Sequence, residues 1–238
     1  MAWRPGTAWH PVGRDVLLSN PERDPMTKPL HITVIAEEPA ADQAKTELVP
    51  PLSNEQAAQI AAASLHDTFA AVSAVCAAHD DVRPIALIDG VAGAWVPAEY
   101  EVHHQRGDGL GERLANGFAD LGPGLIIGMD TPSAGKHFEA ALDALRVGND
   151  AIGMTHNGRY WGIALASCAP MAFENIPMST GRTGQAQLDQ LRRLDRSVTV
   201  LPTVHVLTHF EDIAPIVVDL PGSHLASVSV SLFNRRWG

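Results

Sequence analysis

Cysteine is almost absent from this chain, with two in 238 residues, Cys76 and Cys168. Two isolated thiols form no metal-type cluster and no disulfide framework, so a cytoplasmic setting is the expectation. Long hydrophobic runs are missing too. None approaches the roughly 20 residues that span a bilayer. Positive charge is scarce: 17 basic against 27 acidic residues give a formal charge of −10. That argues against a nucleic-acid partner, which needs a basic face. A phosphorylated small ligand stays open, because a local site can be basic inside an acidic protein. No Ser-His-Asp or Cys-His arrangement, internal repeat or low-complexity linker stands out.

What is present describes an ordinary globular protein, with 45% hydrophobic and 18% charged residues. Its length suits one large or two small domains. Residues 1–29 carry Pro5, Pro11, Pro21, Pro25 and Pro29 and little apolar periodicity. They have no apolar h-region of a signal peptide and read as a disordered or loosely draped extension. Met26, followed by Thr-Lys-Pro, reads as an alternative start.

The first convincing strand is His31 to Ala36, apolar enough for a central position covered on both faces. A polar loop, Glu37 to Leu52, follows it. Loops this long at a strand end often carry function. Ser53 and Gln56 form a capping box for a helix from about Asn54 to Ala78. Cys76 falls on that helix, as a packing residue. Pro84 to Gly90 is a second strand and Tyr100 to His104 a short third. Gln105 to Arg113 is glycine-rich and enters a helix running through Phe118 to Leu121. Glycines such as Gly107 and Gly111 let backbone N–H groups converge on an anion; a flexible turn with a helix cap is the plain alternative.

The central stretch is Leu125 to Pro132. Three apolar residues make a buried strand, Asp130 sits where it runs out, and Pro132 stops the ladder. In open α/β sheets, ligands bind beyond the carboxyl ends of strands, so Asp130 can face a ligand or metal there; it can also simply cap the next turn. A helix spans roughly His137 to Val147. Asp150 to Met154 pairs with Tyr160 to Leu165 across the turn dipeptide Asn157-Gly158. A helix from Thr183 to Leu194 and a strand from Ser197 to Leu201 follow. Residues 223–238 fit a strand or irregular packing and read as a C-terminal tail. Strands alternating with helices imply one α/β domain, residues 30–222, with a mostly parallel central sheet.

The ordered motifs Ile-Ala-x-x-Pro with Lys-Thr-x-Leu, Gln-x-Gly-x-Gly-Leu-Gly-x-Arg, Ile-Gly-Met-Asp-Thr-Pro, Asn-Gly-x-Tyr-Trp and Ser-Thr resemble the DUF2064 family. That family is similar to glycosyltransferases with the GT-A fold, a Rossmann-like three-layer domain, and to nucleotidyltransferases. The resemblance covers about residues 32–212. It implies a nucleotide site formed by Lys45, Thr46, Gln105, Gly107, Gly111 and Arg113. It implies a catalytic role for Asp130, to which Arg159, where the family has a glycine, is added as this chain's own catalytic candidate, and an acceptor or sugar site at Asn157, Gly158, Tyr160, Ser179 and Thr180. It also implies magnesium or manganese on Asp130, with metal-independent transfer as the alternative. The partners implied are a nucleotide-sugar and a small-molecule acceptor, with no nucleic acid and no membrane.

The chain departs from the family pattern at telling places. Glu37 stands for a lysine, Ala41 for a proline, Asp42 for a glycine and Glu47 for an arginine. The family's Asp-Gly-Gly-Tyr becomes Asn157-Gly158-Arg159-Tyr160, and its late Asp-x-Asp-Thr becomes His205-Val206-Leu207-Thr208. Asp130 is then the one family carboxylate left for a metal. Lys45, Arg113 and Arg159 are candidates to neutralise a diphosphate in its place. The resulting readings are a glycosyltransferase-like protein that binds a nucleoside-diphosphate sugar, a nucleotidyltransferase, and a degenerate binding protein. His205 and His209, four apart, suit one helix face, but two histidines without a third ligand read as ordinary surface residues. Tyr160 and Trp161 read as structural, with sugar stacking as the alternative. Ser179 and Thr180 can satisfy local backbone instead of a ligand.

Overall fold

In the computed structural model of the protein, the described residues are 29–39 and 46–234. The expected N-terminal extension and Lys45 lie outside them.

Seven strands form one sheet: β1 (Leu30–Glu37), β2 (Val82–Asp89), β3 (Glu101–His104), β4 (Gly124–Gly128), β5 (Asp150–Thr155), β6 (Tyr160–Leu165) and β7 (Val198–Val204). Their order is β3-β2-β1-β4-β6-β5-β7. The pairs β2–β3, β1–β2, β1–β4 and β5–β7 are parallel, and β6 runs antiparallel to both neighbours. The mostly parallel α/β sheet expected from the sequence is therefore present.

The helices are α1 (Asn54–Ala77), α2 (Leu110–Leu121), α3 (Phe138–Arg146), α4 (Thr183–Arg193), α5 (Ile213–Asp219) and α6 (His224–Asn234). The Ser53–Gln56 capping box opens α1: Gln56 N donates to Ser53 Oγ at 3.3 Å and Ser53 N to Gln56 Oε1 at 2.9 Å. Ile32, Val34 and Ala36 of β1 pack with Leu65, Phe69 and Val72 of α1 and with Phe138 and Leu142 of α3. Leu114 and Phe118 of α2, Leu191 of α4 and Ile126 of β4 fill the opposite face. These are the two helical layers that a buried parallel sheet requires.

By length and composition alone, α1 would pass as a membrane span. Here it is a core helix, with apolar neighbours on two sides. Its sheet-facing residues join β1. Ala57, Ile60 and Ala63 join Ile213 and Ile216 of α5 and Leu225 and Leu232 of α6 in a second cluster.

Three local expectations are corrected. Residues His224–Asn234 form a helix, neither strand nor irregular, and Leu225 is fully buried against the core. The Asp67 carboxylate of α1 holds its start, accepting from His224 N at 2.9 Å and Leu225 N at 2.8 Å. The last strand runs on to Val204. His205 and His209 therefore share no helix face: His205 follows that strand and His209 caps a short 3-10 turn, Phe210–Asp212.

Candidate functional site

Strands β1, β2 and β3 end side by side, with Glu37 opposite Asp89 and Ile88 opposite His104. The chain then turns at Gln105, whose backbone N–H donates to Ile88 O at 2.8 Å. The Gln105 amide nitrogen donates to Ala36 O and Leu87 O, both at 3.0 Å, and its oxygen accepts from Arg113 Nη1 at 3.1 Å. Both ends of the amide thus have partners inside the fold, and Gln105 positions Arg113 and the strand ends. Arg113 Nη1 also reaches Asp89 Oδ2 at 2.6 Å, a carboxylate that the sequence reading did not single out. The charge on Arg113 is therefore already faced by an acid, and Glu37 adds a second acid next door.

The glycines of the loop have packing roles. Gly107 has φ +122°, and a Cβ there would lie 2.6 Å from Glu112 Cβ. A Cβ on Gly111 would meet Phe173 O at 3.3 Å. Neither observation requires a ligand. Thr46 begins a short 3-10 turn, Thr46–Leu48.

Asp130 lies two residues past β4, as expected from the sequence, and its backbone oxygen accepts from Leu207 N at 2.9 Å. This bond carries the segment after β7 across the strand ends. Thr131 closes the turn by donating to Gly128 O at 3.1 Å. The Asn157-Gly158 turn lies along the same edge. Asn157 Oδ1 accepts from Thr155 Oγ1 at 2.7 Å and from Arg159 N at 3.3 Å, while its amide nitrogen donates to Thr208 Oγ1 at 3.4 Å. Asn157 thus ties the turn to the segment after β7. Gly158 has φ +80°, and a Cβ there would lie 2.0 Å from Gly181 O. Gly184 N, at the start of α4, donates to Gly158 O at 3.0 Å.

The sequence-predicted acceptor residues divide. Thr180 serves the backbone: its hydroxyl donates to Pro177 O at 3.0 Å and accepts from Arg182 N at 3.2 Å. Ser179 is exposed at φ +59°. Tyr160 packs against the second sheet face with its hydroxyl 3.8 Å from Met178 Sδ, and burial pushes its phenol up. Trp161 is fully buried, donates to Pro202 O at 3.0 Å and lies over Gly153, where a Cβ would sit 1.9 Å from the indole. Cys76 packs on the core and burial pushes its thiol up to about 12, far from a reactive thiolate.

One pairing was not foreseen. His156, just after β5, and His205, just after β7, stack their rings at 4.2 Å and 27°. His156 N donates to Val204 O at 3.2 Å, which holds the two strand ends together. Parallel pairing of β5 with β7 brings together residues 49 positions apart, and spacing along the chain gives no signal of that. Among the described residues, no three His, Cys, Asp or Glu side chains gather as a metal site. The described residues therefore do not build a multi-carboxylate metal centre around Asp130.

A groove of about 880 Å³ runs along the outside of α1, between Trp95 and His224, and meets the strand ends at Pro39. Alanines, among them Ala62, Ala70 and Ala74, form much of its floor.

The fold has relatives among solved structures. One is a provisionally named nucleotide-diphospho-sugar transferase from Desulfovibrio desulfuricans G20, 20% identical, with a TM-score of 0.75 over 87% of this chain and 97% of that one. Rv0371c of Mycobacterium tuberculosis H37Rv aligns at 14% identity and a TM-score of 0.48, over 79% of this chain and 97% of that one. A manganese complex of that mycobacterial protein aligns at 15% identity and a TM-score of 0.47, over 79% and 96%. No curated protein matches the chain. The likeness to the Desulfovibrio structure shows a shared fold. The profile that matches residues 57–180, over half of the chain, is that of the uncharacterized proteins conserved in bacteria grouped as DUF2064, and the chain belongs to that family.

Proposed function

We propose that the protein binds a nucleoside-diphosphate sugar at the carboxyl edge of its sheet and transfers the sugar to a small acceptor. The observation that carries this reading is Asp130 at the end of β4, its backbone held by Leu207 and its flank formed by the Asn157 turn. Ligands of open α/β sheets sit at such an edge. The provisional name of the Desulfovibrio relative agrees with it.

In the reaction, an acceptor hydroxyl oxygen forms a bond to the anomeric carbon. The bond from that carbon to the phosphate oxygen breaks, and its electron pair leaves with the nucleoside diphosphate. The hydroxyl proton passes to solvent. Asp130 orients the sugar hydroxyls, and Arg159, in the turn beside it, faces the growing negative charge of the leaving group. Asp89 and Glu37 suit the ribose hydroxyls, which donate to carboxylates, with Arg113 fixed between base and ribose. If a divalent ion takes part, Asp130 supplies its protein ligand and phosphate oxygens the others. A cytoplasmic location, and the absence of nucleic-acid and membrane partners, belong to the same reading.

Calorimetric titration of the full chain with UDP-, GDP- and CDP-sugars and with nucleoside triphosphates tests this. Each series is run with Mg²⁺, with Mn²⁺ and with chelator. The expected result is one sugar nucleotide that binds, with turnover lost in Asp130→Asn. Preference for a triphosphate, with pyrophosphate released, makes the protein a nucleotidyltransferase. No binding by folded protein overturns both and leaves a non-catalytic binding protein.

A further inference from the structure

We infer that the stacked pair His156–His205 is a phosphate-binding subsite at this edge of the sheet. The inference rests on the sugar-nucleotide reading for the identity of its ligand, a diphosphate. It rests on three observations of its own for the site.

The first is geometry. The rings lie 4.2 Å apart at 27°, on adjacent strand ends. Near-parallel imidazoles cannot aim their lone pairs at one cation. They can present N–H donors side by side to two oxygens of one phosphate. The second is that no ring nitrogen of either histidine has a hydrogen-bond partner among the described residues, although His205 is half-buried. The third is the company the pair keeps. Arg159 lies in the same turn as His156, and Arg182 opens the helix that abuts this turn through Gly158. Neither arginine forms an ion pair with a described residue. Asp212, seven positions after His205, is occupied by Thr208 N at 3.0 Å and His209 N at 2.7 Å.

The two ends of the sheet edge therefore differ in character. Asp89, Glu37 and a paired Arg113 lie at the ends of β1 and β2, whereas imidazoles, and guanidinium groups with no ion pair to a described residue, belong to the segments at the ends of β5, β6 and β7. A ligand with hydroxyls at one end and a diphosphate at the other matches that polarity.

The test is calorimetric titration of the full chain with inorganic pyrophosphate in excess EDTA, with the sugar-nucleotide panel run in parallel. The wild type is expected to bind pyrophosphate without metal. His156→Ala and His205→Ala should each weaken binding at least about ten-fold, and the double variant more, as for hydrogen bonds to a charged group. Thermal unfolding checks that the variants fold, and Arg193→Gln, at the far end of α4, should change nothing. No pyrophosphate binding, binding that EDTA abolishes, or binding that survives the double substitution in folded protein would each overturn the subsite. If pyrophosphate binds through the histidines but no sugar nucleotide does, the transferase reading falls and the anion site stands. If a sugar nucleotide binds and the histidines do not matter, the reverse holds.

Discussion

Gln105 accepts a hydrogen bond from Arg113 Nη1 at 3.1 Å while its amide nitrogen spans the carbonyls of Ala36 and Leu87. One side chain thus ties β1, β2 and the start of α2 into a single frame. The residue that the resemblance assigns to the nucleotide acts here on the arginine beside it.

Gln105→Leu should accordingly leave two strand-end carbonyls without this donor and release Arg113. The expected cost is about 1–3 kcal/mol of stability. Nucleotide affinity should fall through a misplaced Arg113. Comparing Gln105→Leu, Arg113→Gln and the double variant checks this. Effects on affinity that fail to add show that the two residues act together.

Gly158→Ala should be severe. Its φ of +80° disfavours any side chain, and a methyl group would overlap Gly181 O. The turn bearing Asn157 and Arg159 would have to move away from α4. A loss of about 2–4 kcal/mol is expected in denaturant unfolding. An unchanged midpoint would show that the two loops do not interlock.

His31 should make the fold acid-sensitive. It is buried between Gly122 and Phe118, and burial lowers its pKa from 6.5 to about 4. Below 6.5 the unfolded chain takes up a proton that the folded chain refuses until about pH 4. Stability is therefore complete above about 6.5, falls as pH drops through that interval, and levels off below it. The full interval is worth about 3 kcal/mol. Unfolding measured from pH 7.5 to about 4 should lose this slope in His31→Phe, once other titrating groups are matched.

The C-terminal helix should be integral to stability. Leu225→Ala removes a fully buried side chain and should cost about 2–5 kcal/mol. Asp67→Ala removes the acceptor for His224 N and Leu225 N and should cost about 0.5–2 kcal/mol. Two nearly silent variants would mean that α6 is a peripheral tail.

Much of this protein was legible along the chain because the relevant forces are local. Apolar runs bounded by glycine and proline mark β1, β2 and β4, and Ser53 with Gln56 marks the start of α1. Asn157-Gly158 marks the hairpin, since only a turn of that chemistry tolerates its positive φ. Asp130 is recognisable at the end of β4 for the same kind of reason. Residues 223–238 were not legible. Leu225, Val228 and Leu232 suit a strand as well as a helix until the apolar outer side of α1 is there to receive them. The partners of the site residues were hidden too. Asp89 meets Arg113 across 24 positions, where α2 packs back onto the end of β2, and His156 meets His205 across 49, where parallel β5 and β7 end side by side. Local pattern decided which elements form. Their packing decided which polar groups stay open at the sheet edge: Gln105 is occupied there, whereas the ring nitrogens of the histidine pair have no hydrogen-bond partner among the described residues.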